Sequence, residues 1–211
     1  MNKGAFDEIK LRFSKKDMSF IPKDGKKRRR LLLILAAVIV GAYIVFSSVY
    51  MVNDQEKAVI TTFGQVTGTA EAGMHFKLPF GIQDVHIVEV NAIKRIEIGY
   101  RSDGNEGEDI TVANESKMIT GDFNIVNIDF FIEYRITDPE KYLFACEDPE
   151  NVLKVLTQSQ IRNVIGSYRI DPILTDKKEE IQIKVKELTA AELEKYDIGL
   201  TLLAVSVQDS E

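Results

Sequence analysis

Residues 31–50 read Leu-Leu-Leu-Ile-Leu-Ala-Ala-Val-Ile-Val-Gly-Ala-Tyr-Ile-Val-Phe-Ser-Ser-Val-Tyr, with no charge and no proline. At about 1.5 Å rise per residue, a helix of that length spans roughly 30 Å, the thickness of a bilayer's hydrocarbon core. Lipid holds no water for unpaired backbone groups, so a helix is the form such a run must take there. Ser47 and Ser48 can bond back to carbonyls one turn earlier, and Tyr50 stands where an interfacial aromatic residue would stand. A buried soluble helix rarely runs this long without a charge. The expectation is a single transmembrane helix over residues 31–50.

Charge divides at the start of that run. Residues 1–30 hold eleven Lys/Arg against four Asp/Glu, a net of +7, and the remainder holds sixteen against twenty-nine, a net of −13. The arm over residues 1–30 has few apolar residues and no sustained period, which predicts a largely disordered basic segment. Its end, Lys26-Lys27-Arg28-Arg29-Arg30, abuts the apolar run. Such a cluster holds its end of the helix in the cytoplasm and attracts anionic lipid head groups. A cleaved signal peptide would have a shorter apolar core and an Ala-x-Ala-like site, which Phe46-Ser47-Ser48-Val49-Tyr50-Met51 does not offer. An uncleaved signal anchor follows, with residues 51–211 outside the cytoplasm. The acidic body argues against nucleic acid, whose phosphates would repel it.

Beyond the helix the pattern is strands first and helices after. A polar junction, Val52-Asn53-Asp54-Gln55-Glu56-Lys57, precedes Ala58-Val59-Ile60-Thr61-Thr62-Phe63, a β-branched strand closed by Gly64. A loop is expected over 68–73. An edge segment or turn, broken by Pro79, follows over 74–81, then strands over 83–90 and 92–98. An acid-rich turn is expected over 102–108 and a strand over 111–118. The clearest signal is Val126, Ile128, Phe130, Ile132, Tyr134 and Ile136 alternating with polar residues and Phe131, a period of two that predicts a strand with one core face. Thr137-Asp138-Pro139 ends it. Asp148-Pro149 reads as an N-cap with proline at the first helical position, and Gly166 as the stop. Val152, Leu153, Leu156 and Val164 mark that helix's apolar stripe, interrupted by Gln160. A second helix is expected from Asp176, with Glu179 completing a capping box and Ile181, Val185 and Leu188 forming a seam. Residues 200–207 return to strand. The fold class is α+β, an antiparallel-rich sheet with packed helices.

Catalytic patterns are absent. His75 and His86 have no carboxylate or cysteine at a metal-ligand spacing, and Ser167, Ser206 and Ser210 lack a Gly-x-Ser-x-Gly elbow. Glu106/Glu108 and Glu179/Glu180 read as solvated faces, and Gly104 and Gly107 do not make a phosphate loop. Cys146 is the sole cysteine, without a basic neighbour to activate it and with no partner for an intrachain disulfide. No catalytic, cofactor-binding or metal residue is assigned, and no enzyme activity is expected.

Six blocks in order carry a resemblance. Val52-Asn53-Asp54-Gln55-Glu56-Lys57-Ala58-Val59-Ile60-Thr61-Thr62-Phe63-Gly64 after an amino-terminal anchor is the first, and Ala72-Gly73-Met74-His75-Phe76-Lys77-Leu78-Pro79 the second. Met118-Ile119-Thr120-Gly121-Asp122-Phe123-Asn124-Ile125-Val126 is the third. Tyr134-Arg135-Ile136-Thr137-Asp138-Pro139 with Tyr142-Leu143-Phe144, then Gln160-Ile161-Arg162-Asn163-Val164-Ile165-Gly166, then Ile173-Leu174-Thr175 complete the series. Over about residues 40–207 the chain resembles the SPFH superfamily (stomatin, prohibitin, flotillin and HflK–HflC; band 7/PHB), and within it the bacterial HflK branch. The resemblance implies an SPFH domain next to the bacterial plasma membrane and ring-shaped assembly with an HflC-like paralogue. It also implies contact with membrane lipid and modulation of the FtsH protease. A stomatin- or flotillin-like scaffold of a membrane microdomain is the alternative it leaves open. Two departures stand out. Phe123 sits where the turn more often has a charge, and the long coiled coil expected beyond this region is not in the sequence.

Overall fold

The computed structural model describes residues 25–102, 110–174 and 177–210. The expectations for residues 1–24, for most of the 102–108 turn and for Asp176 lie outside the described residues. The chain divides into two compact units, residues 1–49 and 50–211.

The first unit carries helix α1, Gly25–Ser48. It starts one residue ahead of the basic cluster, takes in all of it, and ends two residues before the expected boundary. Large apolar side chains from Leu32 to Phe46 are exposed around it. Ser48 Oγ donates to the Ile44 carbonyl at 2.7 Å, the back-bond expected of a serine at this end. Among the described residues no helix is long and apolar enough to cross a membrane. The span expected over 31–50 thus rests on its sequence.

Strand β1, Val49–Val52, begins directly after Ser48, and the polar junction expected over 52–57 is instead the short turn between β1 and β2. Val52 is buried because it packs with Ala58 and Ala70, and Tyr50 lies against the same cluster rather than ending a helix. The small sheet has the order β3-β2-β5, with β2 Glu56–Thr62, β3 Gln65–Ala70 and β5 Gln83–Glu89. Strand β3 overturns the loop expected from Gly68. That glycine pairs with Ile60, and the turn falls earlier, at Phe63-Gly64. Strand β4, Gly73–Phe76, pairs with β1 in a separate ribbon, consistent with an edge segment ahead of Pro79.

The large sheet runs β11-β10-β6, with β6 Lys94–Ile98, β10 Ile125–Ile136 and β11 Leu200–Ser210. β7 Tyr100–Arg101 and β8 Ile110–Thr111 form a short ribbon, and β9 Lys117–Ile119 pairs with the start of β10. The strand expected over 111–118 is broken by a helical turn, α2 Ala113–Ser116, which turns Glu115 inward to an ion pair. β10 alternates as predicted, and Val126, Ile128, Phe130, Ile132, Tyr134 and Ile136 are all buried. Helix α3, Pro139–Phe144, was not expected. Asp138 caps it by accepting from the Glu140 and Lys141 amides.

Helix α4, Pro149–Ile165, is capped by Asp148, which accepts from the Asn151 amide at 3.0 Å. Its buried stripe is Leu153, Thr157, Ile161, Val164 and Ile165, so Thr157 and Ile161 replace the expected Val152 and Leu156, which are only partly buried. Thr157 fits because its hydroxyl donates to the Leu153 carbonyl. After α5, Ile170–Leu174, comes α6, Lys178–Tyr196, whose N-cap is Lys177 with no side-chain cap bond rather than Asp176. Ile181, Val185, Thr189 and Leu193 are its buried seam, with Leu188 half-buried. α4 packs on α6 and α6 on β11, closing one large core over the sheet.

Candidate interaction surface

The residues weighed for chemistry do not converge. His75 stacks on Tyr50 at 5.6 Å and bonds the Glu71 carbonyl at 2.8 Å. His86 lies on β5, edge-on to Phe144 at 5.9 Å. Ser167 donates to the Val164 carbonyl, Ser206 lies opposite Phe131, and Ser210 ends β11. Glu180 is held by Tyr168 and Lys177, with Glu179 beside it on the first turn of α6. Glu106 and Glu108 lie outside the described residues. Cys146 is half-buried against the large core. Among the described residues no three His, Cys, Asp or Glu gather as a metal site.

Two polar centres are structural. Glu115 takes both guanidinium nitrogens of Arg101, at 2.7 and 3.0 Å, the Lys154 ammonium at 2.7 Å and the Gly99 amide at 3.1 Å. Burial pushes its carboxyl up, but the bonds from Arg101, Lys154 and Gly99 outweigh that and bring it down to about 2. Glu150 accepts from Tyr142 at 3.0 Å and pairs with Lys94 at 3.7 Å. Burial, then that bond, pushes the Tyr142 hydroxyl up to about 12. The Tyr134 hydroxyl is raised too, first by its burial under the same carboxylate. Both centres tie helices to the sheet.

What faces outward is aromatic. Phe63, Phe80 and Phe123 all have positive φ, at 50°, 65° and 66°. That conformation costs a bulky L-residue about 1–2 kcal/mol. All three are exposed, at 80%, 74% and 90%. Phe63-Gly64 and Phe80-Gly81 each have two positive φ values in succession, the I′ pattern in which Asn-Gly is usual. The Phe63 amide donates to the Ile82 carbonyl, which sets the two tips side by side at one end of the small sheet. Met74, Phe76 and Leu78 are exposed on the neighbouring segment. The repeated Phe-Gly dipeptide is the signal in the sequence; the expectations above place Phe63-Gly64 at a strand end and Phe80-Gly81 in an edge segment or turn.

The SPFH domain / Band 7 family model matches residues 50–211, most of the chain and all of its second unit. The chain belongs to that family. The family is one of non-enzymatic scaffold proteins. Among curated relatives, "Protein HflK" of Borreliella burgdorferi is 30% identical over 173 residues, covering 82% of this chain and 55% of that protein. "Modulator of FtsH protease HflK" of Escherichia coli is 32% identical over 162 residues, 77% of this chain and 35% of that protein. "Protein HflK" of Treponema pallidum is 29% identical, with 81% and 54% covered. The chain thus spans about half, or about a third, of the length of these relatives.

Proposed function

We propose that this chain is a membrane-anchored, HflK-like scaffold subunit that assembles with an HflC-like paralogue and modulates an FtsH-type membrane protease. The observation that carries this reading is the alignment of the SPFH unit with a relative named as a modulator of FtsH protease. A scaffold without its own active site controls a protease by fencing substrates away from it, which needs many copies standing side by side at the membrane. Residues 31–50 supply the anchor, because the run holds twenty residues without a charge or a proline, the length that spans a bilayer's hydrocarbon core. The basic cluster over 26–30 sets the amino-terminal end in the cytoplasm of a bacterial plasma membrane and residues 51–211 outside it. A net charge of −13 over that region opposes dense packing unless opposite charges interleave at the contacts.

Capture of the full chain from native membranes, read by mass spectrometry, tests the partner set. Recovery of FtsH with an HflC-like chain is expected. A set of lipid-scaffold proteins without FtsH would instead favour a stomatin- or flotillin-like microdomain organiser. The exposed Phe63 and Phe80 tips would serve that reading equally, since apolar tips engage lipid whatever the protein partner. For topology, a reporter that fluoresces only in the cytoplasm, fused after Glu211, should stay dark at full-length expression, and a bright signal would reverse the orientation.

A further inference from the structure

Every second residue from Met74 to Phe80 is a large apolar one, and Met74, Phe76, Leu78 and Phe80 are all more than half exposed. His75, Lys77 and Pro79 between them are half-buried. With Phe63 they make an apolar row in solvent, more than single scattered surface residues would give. The two halves of the row are held differently. Met74 and Phe76 lie on β4, which pairs with β1. Leu78 and Phe80 lie in the loop between β4 and β5, outside either strand. Pro79 has no amide to offer, so whatever fixes that loop must act on its neighbours.

Gln83 does this. It is the first residue of β5 and half-buried, and its side-chain oxygen accepts from the Leu78 amide at 2.9 Å. Its side-chain nitrogen donates to the Thr62 hydroxyl at 3.3 Å, on the residue paired with it in β2. The Thr62 and Thr67 hydroxyls are 3.1 Å apart, and Thr67 donates to the Ile60 carbonyl at 3.1 Å. Thr67 spends its proton there, so Thr62 donates to Thr67. One chain of bonds thus runs from the start of the loop across the β2–β3 hairpin. The far end of the loop is tied by the backbone, through the Phe63 amide and the Ile82 carbonyl. Phe80 stands between the two ties. Positive φ at a phenylalanine persists only where the surrounding structure imposes it, and here a side chain supplies one of the two constraints.

We propose that Gln83 is the positioning residue of this row: by tying Leu78 to Thr62 it stands Phe80 beside Phe63, and Phe80 enters phospholipid only while that tie holds. The bilayer is the occupant because β1 begins directly after α1, the helix of the anchor, so β4 and its loop have little chain with which to leave the membrane surface. The inference rests on the membrane anchoring read above and names the residue that gives the row its shape.

The test uses the full chain in a Cys146→Ala background, with a fluorophore on Phe63→Cys or Phe80→Cys, in phosphatidylcholine vesicles containing brominated lipid. Gln83→Met keeps the length of glutamine without its hydrogen bonds. Losing one hydrogen bond of ordinary strength shifts an equilibrium between held and released loop about fivefold. The ratio of immersed to free label at position 80 should fall about fivefold in Gln83→Met, with position 63 and the thermal transition unchanged. In mild detergent without vesicles, the Leu78 amide should exchange about fivefold faster and the Val59 amide at its parent rate. Thr62→Val removes the hydroxyl behind Gln83 and should show the same selectivity for position 80. A merely structural role would move both labels and the transition together. Equal quenching at position 80 in parent and Gln83→Met, or equal loss at 63 and 80, overturns the role of Gln83 alone. A parent chain unquenched at both positions overturns the membrane reading, and this inference with it.

Discussion

The two sheets of the SPFH unit use aromatic residues in opposite ways. In the large sheet, Phe130 sits at the centre of β10 with no exposure, paired with Ile98 on one side and Val207 on the other. Isoleucines and Tyr134 flank it along the same face. In the small sheet the buried cluster is Val52, Ala58 and Ala70, nothing larger than valine, while Phe63 and Phe80 stand on its turns in solvent. A thin core with large side chains turned outward gains little from burial, so the small sheet leans on the large one. The link is visible in α3, which packs on β2 and brings Phe144 against His86. The difference teaches that burial is concentrated around β10 while the small sheet's largest side chains are left to solvent at its turns.

The largest effect expected from that contrast is at Phe130. Phe130→Ala should cost about 3–5 kcal/mol, measured by chemical denaturation. Glu133→Ala, half-buried on the other face, should change stability by no more than about 0.5 kcal/mol. Equal costs would mean that the β10 face is not where folding energy is gathered.

Next comes the Glu115 centre, which pins α2 and α4 to the strand end after β6. Its carboxyl is held near 2 against an ordinary value near 4.5, a depressed pKa. Stability from such a group is fully present above the unfolded value and is lost as pH falls from about 5 towards 2. The side chain is only 17% exposed, but Arg101 is 42% exposed, so screening reduces the full linkage value to about 2 kcal/mol. Glu115→Gln should therefore be less stable than the parent at pH 7, with the gap narrowing through that window. A gap independent of pH would show that shape, not charge, holds the junction.

Legibility in the sequence followed the same division. β10 was readable because one face is wet and the other buried, which writes a period of two into the residues. The α4 start was readable because Asp148-Pro149 satisfies the first amides by local chemistry. The small sheet was misread where a tertiary reason overrode local habit: Phe-Gly performs the I′ turn that Asn-Gly usually makes, and Gly68 is tolerated inside a strand. α2 was missed because the motive for its turn is Glu115 meeting Lys154, 39 residues away. The outward aromatics were the least legible, since nothing in a lone phenylalanine says that it faces water.

Val59→Ala probes the small sheet from within. Val59 is fully buried, and removing its two methyl groups should cost about 1.5 kcal/mol. Hydrogen exchange should rise first in β2, β3 and β5, with the β10 amides keeping their protection. Uniform loss across both sheets would mean that they unfold as one and that the contrast has no energetic content.

The smallest effect on stability, and the sharpest on function, is expected at the tips. Phe63→Asn and Phe80→Asn place at positive φ a residue that accepts it, so each should be neutral or stabilising by up to about 1 kcal/mol. Neither side chain makes a core contact whose loss could offset that gain. If these phenylalanines were kept only for folding, their replacement would be free of consequence. If they are kept for a surface, membrane engagement should suffer while the thermal transition holds. The measurement is quenching by brominated lipid of a fluorophore placed singly at positions 63, 80 and 123 of the full chain in vesicles. Strong quenching is expected at 63 and 80 and little at 123, because the first pair extends from the thin sheet as an apolar edge and the third has Lys117, Asp122 and Arg169 around it. The reverse order would exchange the roles of the two ends, assigning lipid to the β9–β10 turn and leaving Phe63 and Phe80 for a partner chain.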